Sequence, residues 1–99
     1  MDVTLEFSTE GAATFVLEQN QPNPFKAETS IGFTLPEATT ATLSIYDVSG
    51  RTLKVIEGDF AKGFNQVTIN RSDLSGAGVL YYQLDTPTDS ATKKMILVD

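Results

Sequence analysis

Apolar and polar residues alternate along most of this chain. In TSIGFTL, residues 29–35, Ile31, Phe33 and Leu35 share one side of a two-residue period. In ATLSIY, residues 41–46, the apolar side carries Ala41, Leu43 and Ile45, and the other side Thr42, Ser44 and Tyr46. The same reading predicts strands over 52–57, 64–70, 79–86 and 92–98. Turn-forming residues separate them at 36–40, 47–50, 58–63, 72–78 and 87–90. The 3.6-residue period of a helix is missing throughout. Six or seven short strands at this spacing predict an all-β antiparallel sandwich.

The head of the chain reads differently. Residues 3–7 have the character of a strand, but STEGAAT, residues 8–14, is small, polar and unpatterned. We therefore expect residues 1–14 to be a linker or the end of a preceding domain, and 15–99 to be one module. Residues 15–18 would form the module's first strand.

Two stretches carry more specific geometry. QNQPNPF, residues 19–25, cannot be helix or central strand, because Pro22 and Pro24 lack the N–H and restrict the residue before them. The prolines should stop the ladder of an edge strand and hold the chain extended while it crosses between sheets. Asn20 and Asn23 are expected to cap nearby backbone N–H groups in Asx-turns, and Phe25 to drop into the core. DVSG, residues 47–50, reads as a hairpin loop with Gly50 at a left-handed position. Arg51 is expected to reach back to the Asp47 carboxylate.

Composition narrows the function. Ninety-nine residues suit one domain, and seven Lys and Arg against thirteen Asp and Glu give a net charge of −6. The cations are scattered, with only Lys93 and Lys94 adjacent, so nucleic acid is a poor partner. Cys and His are absent, which excludes His-based triads, Cys nucleophiles and His/Cys zinc sites. We expect no signal peptide and no membrane span, since neither a basic start nor an apolar run of about 20 residues is present.

The remaining chemistry is thin. Carboxylates fall mainly in turns and on polar strand sides. NRSDLSG, residues 70–76, offers Asn70, Ser72 and Asp73 but no Glu in register for a calcium loop. GAG, residues 76–78, is followed by no helix that would make it a phosphate loop. Tyr81 and Tyr82 should face opposite sides of one strand. We expect a non-catalytic module with no metal and no cofactor.

Four motifs occur in order: FVLEQNQPNPFKAETSIGFTLP, LSIYDVSGRTLKVI, GAGVLYYQL and KKMILV. Together the chain from Phe15 to Asp99 resembles the type A C-terminal sorting domain of the type IX secretion system of Bacteroidetes. The resemblance implies an immunoglobulin-like sandwich that directs an upstream cargo across the outer membrane, from periplasm to cell surface or medium. Its partners would be translocon and sortase components. The family's QN-x-PNPF element falls on Gln19, Asn20, Pro22, Asn23, Pro24 and Phe25. Its IYD-x-x-GR hairpin falls on Ile45, Tyr46, Asp47, Gly50 and Arg51. Its SGVYFYRL strand falls on residues 77–84, with Gly78 conserving the glycine but Leu80 and Gln83 replacing a Tyr and an Arg. Lys26 replaces Asn, and Asn70 and Arg71 stand where WD-G is common.

The terminal strand motif makes Lys93, Lys94, Met95, Ile96, Leu97 and Val98 the expected translocon signal, read for instance by pairing with the strand's edge. Gly11, Ala12, Ala13 and Thr14 are the expected sortase region. The competing expectation is an accessory adhesion, carbohydrate-binding or spacer module using Tyr81 or Tyr82. A sorting module should depend on residues 93–98, and a sugar binder on its exposed tyrosine.

Overall fold

The period-two segments become strands because each has one apolar side to bury and one polar side to leave in water. A computed structural model describes residues 14–99. Its strands are β1 (Val16–Leu17), β2 (Glu28–Leu35), β3 (Thr39–Asp47), β4 (Thr52–Phe60), β5 (Gly63–Asn70), β6 (Gly78–Asp85) and β7 (Ser90–Leu97). A single 3-10 turn, Arg71–Asp73, leads from β5 towards β6. The possible strand over residues 3–7 lies outside the described residues.

Two antiparallel sheets face each other, one ordered β1-β2-β5 and the other β4-β3-β6-β7. The expected antiparallel sandwich is the observed fold. Between the sheets lie Ile31, Phe33 and Leu35 of β2, Leu43 and Ile45 of β3, Ile69 of β5, Tyr82 and Leu84 of β6, and Met95 and Leu97 of β7. Burying each such side chain contributes about 1.5–3 kcal/mol.

The turn expected over residues 58–63 is shorter. β4 runs on through Phe60, with Gly58, Asp59 and Phe60 opposite Ala41, Thr40 and Thr39, so β3 also begins earlier. Cross-strand contacts hold this extension. Thr40 Oγ1 donates to Asp59 Oδ1 at 2.7 Å. The Phe60 ring meets Phe33 edge to face, with centroids 5.1 Å apart.

On the outer face of the smaller sheet, Phe64 lies across Gly32. A Cβ at Gly32 would come within 2.8 Å of the Phe64 ring and 3.0 Å of the Glu18 carboxylate. Glycine is required there by close approach, since its backbone is ordinary strand.

Candidate functional site

The chain between β1 and β2 links the two sheets. β1 lies at an edge of the smaller sheet, as expected, and its pairing with β2 extends to Gln21, which exchanges two backbone bonds with Ser30. The chain then bends at Pro22, Asn23 and Pro24, whose X–Pro bonds are both cis, instead of running extended. At Phe25 it arrives beside Leu97 of the other sheet in a parallel bridge. The bend is what brings the chain back against β7, where Phe25 is 1% exposed.

The edge protected by this segment is therefore that of β7, the outermost strand of the larger sheet. Phe25 N–H donates to the Ile96 carbonyl at 3.0 Å, and Val98 N–H donates to the Phe25 carbonyl at 2.9 Å. Beside the prolines, side-chain amides bond the same edge, one accepting and one donating. Asn23 Oδ1 accepts from Ile96 N–H at 2.9 Å. Gln19 Nε2 donates to the Lys94 carbonyl at 2.7 Å. Asn23 thus serves a strand 73 residues away, not a neighbouring turn.

Asn20 also departs from the Asx-turn expectation. Its side-chain Nδ2 donates to the Pro22 carbonyl at 3.1 Å and to Thr29 Oγ1 at 3.0 Å, while its Oδ1 accepts from Gln19 Nε2 at 2.7 Å. Thr29 Oγ1 donates in turn to the Pro22 carbonyl at 2.9 Å. Above this network sits Tyr82, fully buried, whose hydroxyl donates to the Glu18 carbonyl at 2.6 Å and accepts from Asn20 N–H at 2.9 Å. Burial pushes the Tyr82 phenol up to about 12, against the opposing effect of the Asn20 N–H. Every polar group in this buried set has a partner, the condition under which such networks stabilise.

Sequence reading missed Thr29 and the Tyr82 hydroxyl as members of this site. One signal was present. A tyrosine on the core-facing side of a strand needs a partner for its hydroxyl, and the nearby motif is rich in amides.

The other motif is local. Asp47 Oδ1 accepts from Ser49 N–H, Ser49 Oγ and Arg51 N–H at 2.9, 2.6 and 3.0 Å. Its Oδ2 meets Arg51 Nε at 3.2 Å, and Gly50 has φ +90°, both as expected. The Ser49 hydroxyl is the main cause holding the Asp47 carboxyl below its usual range. Arg51 also reaches Ser75 Oγ at 3.4 Å.

Along β7, Met95 and Leu97 face the core and Lys94 is exposed, while Lys93 shares the core-facing side but stays half-buried. On the outer face Lys94 stands opposite Tyr81 and Ile96 opposite Val79, with Tyr46 opposite Tyr81 on the next strand. Tyr81 is 38% exposed, so the two adjacent tyrosines face opposite sides as expected. Gly78 opens β6 across from Leu97. Asp73, a candidate calcium oxygen, instead pairs with Lys54 at 3.3 Å and accepts from Asn70 N–H. Of the expected sortase region, Gly11, Ala12 and Ala13 lie outside the described residues, and Thr14 is exposed.

Among the described residues, seven strands form a sandwich in which β7 is sealed by an amide- and proline-rich segment, an immunoglobulin-like, all-β class of module. The chain belongs to the family described as "Secretion system C-terminal sorting domain", whose model matches residues 21–98. One similar solved structure is the crystal structure of dimeric latent PorU from Porphyromonas gingivalis, with a TM-score of 0.66 and 18% sequence identity. The match covers 94% of this chain and 10% of that one, and at this identity it speaks for the fold alone. No curated protein sequence is significantly similar to the chain.

The module therefore has a C-terminal sorting role in type IX secretion. It belongs to an exported, larger polypeptide that reaches the cell surface or extracellular space. Among the described residues no helix is long and apolar enough to cross a membrane.

Proposed function

We propose that this module, residues 15–99, sorts its cargo without any catalytic step, by presenting the outward side chains of β7 to the translocon. Residues 93–98 remain the signal, but their roles divide. Met95 and Leu97 hold the strand in the core, whereas Lys94 and Ile96 face outward and are available to a partner. The observation supporting this division is the sealed edge, where Lys94 O, Ile96 N and O, and Val98 N already have partners within the chain. Recognition by strand addition there would first have to displace residues 19–25. The cargo passes through the periplasm, and a surface sortase then cuts near Gly11, Ala12, Ala13 and Thr14.

The test is a periplasm-directed fluorescent reporter fused to residues 1–99, in a host carrying the secretion system. Deleting residues 93–99 would remove Met95 and Leu97 from the core and confuse recognition with folding. The informative variant is Lys94→Glu with Ile96→Thr, which leaves the core untouched. Export of the parent and periplasmic retention of the folded variant are expected. Equal export of both would sink the assignment to this face. Mass spectrometry of the mature cargo should place its new C-terminus within residues 11–14.

A further inference from the structure

The geometry points to Arg71 as the residue that closes the seal on β7 and positions Val98 and Asp99 for the export machinery. This inference rests on the sorting reading, yet the family's motifs give Arg71 no role, since it stands where WD-G is common.

The outer row of β7 faces the covering segment. Lys94 O is taken by Gln19, Ile96 N by Asn23, Ile96 O by Phe25 N and Val98 N by Phe25 O. The next group in the row is the Val98 carbonyl. Beyond Phe25 the covering chain turns away to begin β2 at Glu28, and the Ala27 carbonyl accepts from Arg71 N–H at 2.8 Å. Arg71 supplies the last rung: its Nη1 donates to the Val98 carbonyl at 2.6 Å and to the Lys26 carbonyl at 3.1 Å. Its Nη2 meets Asp99 Oδ1 at 2.9 Å. One side chain thus ties together the 3-10 turn, the end of the covering segment and the residues following β7.

The ion pair is the lesser part of this device. Asp99 is 91% exposed, and an exposed pair contributes little. The part-buried, charge-assisted bond to Val98 O dominates. A forked guanidinium spreads its donors over separate nitrogens, so Nη1 and Nη2 reach acceptors on both sides, a span that the single ammonium nitrogen of a lysine matches less well.

The test uses the reporter fused to residues 1–99, comparing the parent with Arg71→Ala and Arg71→Lys. A fourth protein, Phe60→Leu, weakens the core contact with Phe33 and controls for lost stability. Each is measured for amide exchange at Val98 and for export per folded molecule. In Arg71→Ala, Val98 exchange should rise at least tenfold while Leu84 stays protected, and export should fall at least fivefold. Arg71→Lys should restore part of both, and Phe60→Leu should export as the parent does.

Unchanged Val98 protection in Arg71→Ala would overturn the structural half. Rapid exchange with undiminished export, or an equal loss of export in Phe60→Leu, would overturn the functional half. Should Arg71→Ala not fold, Arg71→Lys carries the same comparison. A parent fusion that stays in the periplasm would instead overturn the sorting reading itself.

Discussion

The segment from Gln19 to Phe25 and the hairpin from Asp47 to Arg51 draw on similar side chains and do opposite work. The Asp47 carboxylate serves donors at most four residues away, at an exposed turn. The Gln19 and Asn23 side chains take partners 75 and 73 residues away along the β7 edge. The Asn20 side chain braces the buried turn whose backbone N–H meets the Tyr82 hydroxyl 62 residues away. A local carboxylate shapes a turn that would nearly form without it. A distant amide network joins two sheets, and around Asn20 its loss leaves buried polar groups without partners.

That contrast orders the expected effects of substitution. The largest belongs to Asn20→Ala, which strips partners from Thr29, Pro22 and Gln19 at once. It should destabilise the domain by about 3 kcal/mol, lowering the melting temperature by more than about 10 °C. A loss no greater than that of Asp47→Ala would end the distinction between the two motifs. Next is Tyr82→Phe, which orphans the Glu18 carbonyl and Asn20 N–H for about 2 kcal/mol, read in urea unfolding at constant slope.

The same tyrosine makes the comparison visible in pH. Its folded-state value of about 12 lies above the ordinary 10, so the folded state retains the proton longer. Its contribution is complete below pH 10 and is lost as pH rises from 10 towards 12. Melting curves over that window should fall less steeply for Tyr82→Phe than for the parent, and parallel curves would refute the burial argument. Asn23→Ala should cost about 1 kcal/mol and act selectively, speeding amide exchange at Ile96 while leaving the β3–β4 hairpin protected.

Asp47→Ala should give the smallest effect, lowering the melting temperature by no more than about 3 °C. Because the folded-state pKa of Asp47 is lowered, its contribution is present above the usual carboxylate range and is lost as pH falls through the folded value. Below that value the parent and Asp47→Ala should melt together.

The same divide explains what was legible in the sequence. Strand periodicity, the Gly50 turn and the Arg51 contact are short-range, so their cause sits within a few adjacent letters. Phe25 could be assigned to the core because an aromatic after two prolines has few other uses. What Asn23 bonds could not be read. An asparagine beside a proline fits an Asx-turn equally well, and only the tertiary arrangement sets its oxygen against Ile96 N–H. Arg71 is a harder case, since a lone arginine after a strand looks like a solvated surface residue until Val98 arrives beside it. The extension of β4 through Phe60 was hidden behind Gly58 and Asp59, residues that ordinarily mark a turn.

Synthesis gives the sealed edge a direction in time. A ribosome releases Gln19 and Asn23 well before it makes Lys94 and Ile96, and their amides must wait for an acceptor and a donor not yet in existence. Closing so long a loop comes late in any folding order that favours near contacts over far ones. A chain interrupted before β7 therefore carries an unmistakable mark of being unfinished: unpaired amides and a vacant place for Phe25. The segment that opens the module is thus fully bonded only once β7 is in place.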